Sequence, residues 1–309
     1  MKKVRLAALM VGVALPMAAQ AFAQGDKGAG QGRAVVTIVA KHSEVAPTVA
    51  QQDVSIKVNG KDAMVTGWAP FKGADDGLEL VVLIDGGARN LGRQFEEIGH
   101  FVQGLGPNTR IAIGYMQNGR AVMAGPLSAD HQQAAGELHL PAGSMSNPYF
   151  SLSDLARRWP SQDRKARREL VLLSDGIDPN NPNFEADDPY VQAAISDSVR
   201  AGLVVYTVYW QGRDRSDANA NVVNGGQSLL GELTEATGGV SYASGTGNPV
   251  SFEPFFSDLM LRFASQYEVD FSARLDRKPM VETLRMKVEG LGLQVTAPQQ
   301  VFVDRPAAQ

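Results

Sequence analysis

The chain contains no cysteine. That excludes disulfides, thiolate nucleophiles, cysteine–zinc sites and a lipid-modified N-terminal cysteine. Its four histidines, His42, His100, His131 and His139, show no ligand spacing. Beyond the N-terminal region no apolar run approaches the ~20 residues that a membrane-spanning helix needs. No G-x-S-x-G, H-E-x-x-H, G-x-x-x-x-G-K or G-x-G-x-x-G stands where its chemistry would require it, so no catalytic residues are expected. Positive charge is also short. The formal net charge is −4, and three units more negative once Lys2, Lys3 and Arg5 are removed with a leader. An acidic protein gains nothing from a phosphate backbone, so nucleic acid is not an expected partner.

The leader itself is present as a pattern. MKKVRLAALMVGVALPMAAQAFAQ places three bases before an apolar core at Leu6–Leu15 and a small-x-small site at Ala21-Phe22-Ala23. This arrangement marks residues 1–23 as a secretory signal peptide. The mature chain is therefore expected to be exported, periplasmic or extracellular, with no integral membrane segment after signal removal. Residues 24–33, opening QGDKGAGQG, read as a flexible tether because glycine is frequent and apolar residues are few.

Residues 34–76 read as an N-terminal β-hairpin region, with Val54, Ile56 and Val58 alternating before an Asn59-Gly60 turn. From residue 77 the rhythm changes. ELVVLID (79–85), ELVLLSD (169–175) and LVVYTVYW (203–210) are apolar throughout, as strands covered on both faces are. Helical stripes lie between them, such as Leu91, Phe95, Ile98, Val102 and Leu105. Such alternation predicts an α/β domain over 77–266, a doubly wound, mostly parallel sheet of Rossmann-like type. Residues 267–309 then read as a small C-terminal β segment.

Two of the apolar runs end on an acid, Asp85 and Asp175. In an open parallel sheet ligands bind at the carboxyl ends of the strands. If those strands are neighbours, the two carboxylates share one crevice and repel unless a cation or proton joins them. Each acid alone is also explained as a turn former at a strand end, since Gly86-Gly87 permits positive φ.

VVLIDGGARN, RIAIGYM with its PLSAD ending, LVLLSDGIDP, VVYTVYW and LTEATGG occur in that order. Together they resemble a von Willebrand factor type A (VWA) domain over some three-fifths of the chain. DVSIKVNGKD before it and QYEVDF after it resemble secreted bacterial VWA-related proteins. The resemblance implies a site where Asp-x-Ser-x-Ser, a Thr and a Thr/Ser-Asp-Gly step hold a divalent cation. This chain keeps Asp85 and Ser174-Asp175-Gly176 but has Gly87 and Arg89 where the two serines would stand. Ser144 and Ser146 are the candidates for the threonine. Magnesium demands six oxygens in near-octahedral array. The metal site, Asp85 and Asp175, is therefore expected to be degenerate, with no bound cofactor and with Arg89 in the role of the cation.

The reading is an exported, non-catalytic protein-binding module. Its ligand edge comprises Asp85, Gly87, Arg89, Ser144, Ser146, Asp175 and Asp178, within loops 85–92, 143–152, 175–188 and 211–227. The alternatives are a magnesium-dependent adhesion protein of the same kind and, further off, a hydrolase using the two acids. Loop 175–190, though rich in Asp and Asn, reads as solvated, with acids that favour the next helix N-terminus. Arg157, Arg158, Arg164, Lys165, Arg167 and Arg168 read as a solvated helix end and loop entering a strand. The glycine- and asparagine-rich 211–227 reads as a recognition loop.

Overall fold

A computed structural model of the chain describes residues 28–41, 48–72, 77–141, 143, 146–163, 165–212, 219–275, 278–290 and 292–305. The signal-peptide reading of 1–23 lies outside these residues.

Two sheets of similar size build the protein. The first contains β4 (Leu78–Ile84), β5 (Thr109–Gln117), β6 (Arg120–Met123), β7 (Arg167–Ser174), β8 (Leu203–Tyr209) and β9 (Ser241–Tyr242). Their order is β6-β5-β4-β7-β8-β9, with β5–β6 antiparallel and the other pairs parallel, so the sheet is mixed. Its strands are apolar throughout because alternate side chains enter different cores. Leu80, Val82 and Ile84 join α1 (Arg93–Gln103) and α6 (Glu253–Phe263). Val81 and Leu83 join α3 (Pro148–Arg157), α4 (Pro189–Arg200) and α5 (Ala220–Thr237). The remaining helix, α2, is short (His131–Gly136). Helix ends follow local chemistry. The Asp188 side chain accepts from the Tyr190 and Val191 amides ahead of Pro189, and Gly238 closes α5 with φ +86°.

The second sheet is all antiparallel. It contains β1 (Ala29–Ala40), β2 (Val54–Val58), β3 (Lys61–Pro70), β10 (Gln266–Arg274), β11 (Met280–Val288), β12 (Leu293–Thr296) and β13 (Gln300–Asp304). The order β10-β3-β2-β11-β13-β1 closes on itself through β1–β10, and β12 adds to β1. Val36, Ile38, Ile56, Val269, Phe271 and Val303 fill the interior of this six-strand barrel.

The barrel overturns the expected fold class. A single doubly wound, mostly parallel sheet with small flanking β segments is not the architecture. The flanks make a closed antiparallel barrel, and the other sheet is mixed. The barrel closes by pairing Ala29 with Arg274 and Thr37 with Gln266. Local periodicity carries no sign of a pairing between strands so distant in sequence. The stretch read as a tether contributes too, since Ala29–Arg33 begin β1. Its glycines serve close packing. A Cβ on Gly32 would lie closer than 3.0 Å to the Phe271 ring. Gly32→Val is expected to destabilise the protein by about 1–3 kcal/mol through overpacking, read as a fall in the urea unfolding midpoint.

Candidate functional site

β4 and β7 are parallel neighbours, with Ile84 paired to Leu173. The chain therefore leaves the sheet at the same rim twice, once into Asp85 and once through Ser174 into Asp175. The Asp85 amide extends the ladder by donating to Leu173 O at 2.9 Å. Both acids are buried, at 5% and 3% exposure.

The Asp85 carboxylate accepts from three donors of the protein. Oδ1 accepts from the Gly87 amide at 2.8 Å. Oδ2 accepts from the hydroxyls of Ser146 at 2.7 Å and Ser174 at 2.8 Å. Asp175 Oδ1 accepts from the Ile177 amide at 3.0 Å. Asp178 is 2% exposed. Its Oδ1 accepts from the Asn180 amide at 2.8 Å, Asn180 Nδ2 at 3.0 Å and Asn147 Nδ2 at 3.3 Å. Beneath them the Tyr149 hydroxyl donates to Gly176 O at 3.2 Å. Burial pushes its pKa well above the usual range, and the charges of Asp178 and Asp175 push it further.

The structure brings Ser146, one of the two serines offered in place of the family's threonine, onto Asp85. Ser144 lies outside the described residues. Gly87 supplies an amide and no side-chain oxygen. Arg89 is exposed, and its guanidinium packs on Gly143, where an added Cβ would come within 2.7 Å of Cζ. Among the described residues no group of three or more His, Asp or Glu is placed to hold a metal ion. Asn147 and Tyr149 were not anticipated. Asn147 is the N-cap residue of α3 and Tyr149 lies in its first turn.

Two expected loops are partly helical. Pro148–Leu152 open α3, and Ala220–Gln227 open α5. The glycines of α5 permit contact with the rim. A Cβ on Gly226 would lie closer than 3.0 Å to Asp175 O, and one on Gly225 would enter the Phe184 ring. The loop at 85–92 is pinned from the other side, where Trp210 Nε1 donates to Asn90 Oδ1 at 2.9 Å and Asn90 Nδ2 donates to Gln211 O at 3.2 Å.

No family model matches the chain, and no curated protein matches it. Several solved structures are similar. One is an aerotolerance-related membrane protein from Bacteroides fragilis, at 12% identity over 60% of this chain and 98% of that one, TM-score 0.43. Another is proximal thread matrix protein 1 from the mussel byssus, described with a zinc-occupied MIDAS motif. It is 13% identical over 66% of this chain and 49% of that one, TM-score 0.44. A third is the SpRpn10 VWA domain, at 10% identity over 59% of this chain and 92% of that one, TM-score 0.40.

Proposed function

We propose that the protein is an exported, non-catalytic interaction module of the VWA type, and that the rim around Asp85 and Asp175 is its protein-binding edge. The observation that carries this reading is the engagement of both Asp85 oxygens by Gly87, Ser146 and Ser174. A carboxylate so engaged is a fixed structural pivot for three loops, and binding residues are often set on loops held by a rigid scaffold. The donor set does not suit magnesium. Gly87 offers no side-chain oxygen, Arg89 brings positive charge, and two hydroxyls are already directed at Asp85. In this reading Arg89 takes the place of a cation beside the acids. The leader pattern supports export, and among the described residues no helix is long and apolar enough to cross a membrane.

Two measurements test the proposal. The thermal midpoint is expected to stay constant with millimolar Mg²⁺, Mn²⁺ or chelator. A midpoint that rises with Mg²⁺ would replace it with the metal-dependent adhesion reading. In pull-downs from the envelope fraction, Asp175→Ala and Arg89→Ala are each expected to lose the bound partner. Recovery unchanged by both substitutions moves the binding site off this rim.

A further inference from the structure

We infer that the rim selects a basic segment of its partner, whose lysine or arginine side chains are received by the 178–190 loop and the Phe150–Tyr190 ring pair. The inference rests on the reading of this rim as a protein-binding edge.

The first reason is sign. Asp85, Asp175, Asp178, Glu185, Asp187 and Asp188 all follow β4 or β7 at this edge. Among the described residues Arg89 and Arg120 are the bases that the neighbouring loops contribute, and in the sequence of 211–227 Arg213 and Arg215 are matched by Asp214 and Asp217. The resulting field attracts cations and repels an acidic ligand.

The second reason is a half-satisfied acid. Asp178 Oδ1 takes three donors, but Oδ2 is buried with no hydrogen-bond partner among the described residues. A buried carboxylate oxygen without a donor is costly. The Asp178 charge, offset by donors on one oxygen only, adds to that of exposed Glu185 and Asp187, and an ammonium or guanidinium docked over the loop complements it.

The third reason is the aromatic pair. Tyr190 is 46% exposed, although large aromatic side chains are mostly buried elsewhere in the chain. It meets Phe150 with ring centroids 4.4 Å apart, at the first turns of α4 and α3. Exposed ring faces attract cations, and tyrosine is enriched among residues that dominate binding energy.

The surface is also held in place. Asn181 clasps the Glu185 backbone from both sides, accepting from its amide at 2.9 Å and donating to its carbonyl at 2.8 Å. Gln192 Nε2 donates to Ala186 O at 2.7 Å and to Glu232 Oε1 at 3.1 Å. A preformed surface loses less conformational freedom on binding than a loose one.

The test uses the purified protein and two fluorescent dodecapeptides, one rich in lysine, arginine and tyrosine, the other with glutamate at every basic position. Anisotropy is expected to show binding of the basic peptide alone, weakening as salt rises. Tyr190→Ala, Asp178→Asn and the double reversal Glu185→Lys/Asp187→Lys are each expected to weaken it by about tenfold or more, with unchanged circular dichroism. Equal binding of both peptides, or no loss in Tyr190→Ala and in the double reversal, overturns the inference. So does a thermal midpoint raised by Ca²⁺ or Mg²⁺ in the parent but not in Asp178→Asn, which would assign that acid to a metal. The pull-down separates the two readings. A partner lost with Arg89→Ala and Asp175→Ala but kept by the Tyr190 and Glu185/Asp187 variants leaves the edge standing and removes the basic segment. A partner kept by all of them removes both.

Discussion

Arg167→Met is expected to lower the unfolding free energy by about 3–5 kcal/mol, read as a large fall in the urea midpoint and in Tm. The side chain is 2% exposed and joins the two sheets. From β7 its Nη1 donates to Phe263 O and to Gln266 Oε1, both at 2.8 Å. Its guanidinium also lies 4.8 Å from the Phe71 ring centroid, and Nε stands 3.9 Å from Glu169 Oε1. Glu169 is fully buried. Its charge also raises the pKa of buried Tyr206, second to the effect of burial itself. Methionine fills much of the same space but takes one cation away from buried Glu169 and this donor from the Phe263 carbonyl. Removing one partner from a buried ionic contact is what makes the loss large. Arg157→Met is the control. That side chain is 71% exposed and touches Asp197 at 3.4 Å, so its removal should change stability by no more than about 0.5 kcal/mol. Equal losses in the two variants would show that the junction does not depend on Arg167.

The same arginine shows where sequence reading stops. RRWPSQDRKARRE reads as one solvated basic stretch because charge is usually exposed. In the structure its members part company. Arg158 pairs with Asp154 in the open, and Arg168 donates to Ser161 O and Asp163 O while lying 5.9 Å from the Trp159 ring centroid. Arg167, one residue earlier, is a buried junction residue. Burial of a charge depends on what a distant segment brings against it, and here β10 brings Gln266. The apolar runs at β4, β7 and β8 were legible because a strand covered on both faces writes that fact into consecutive residues. The runs at β4 and β7 end on Asp85 and Asp175, and the pairing of β4 with β7 puts the two acids at one edge. The barrel was not legible. Its closure pairs β1 with β10 at opposite ends of the chain, and glycines at Gly30 and Gly32 disguised a strand as a tether. The hydroxyls on Asp85 were half legible. Ser174 stands in the Ser-Asp-Gly step, whereas nothing in the sequence of 143–152 separates Ser146 from Ser144.

Glycine in α5 supplies the second large effect, and one with a sign that sequence alone cannot give. Gly226 and Gly231 lie in the same helix, and by helix propensity either should gain about 0.5–1 kcal/mol on replacement by alanine. Around Gly231 a Cβ would find nothing within 4 Å. Gly231→Ala is therefore expected to stabilise the protein by about that amount. At Gly226 the new Cβ would lie closer than 3.0 Å to the backbone carbonyl of Asp175. Backbone cannot rotate away as a side chain can, so either the helix or the 174–177 loop must move. Gly176 blocks the reverse adjustment, because its φ is +71° and the Gly226 carbonyl lies 2.5 Å from where its own Cβ would be. Gly226→Ala is expected to cost about 2 kcal/mol net, the overpacking loss outweighing the gain in propensity. The displacement acts on Asp175 and on the Ser174 hydroxyl that holds Asp85 at 2.8 Å. Partner capture should therefore weaken in Gly226→Ala and remain at the parent level in Gly231→Ala. Paired urea curves and pull-downs on the two variants decide the matter. Matching shifts of the same sign would show that the rim does not rest on this helix.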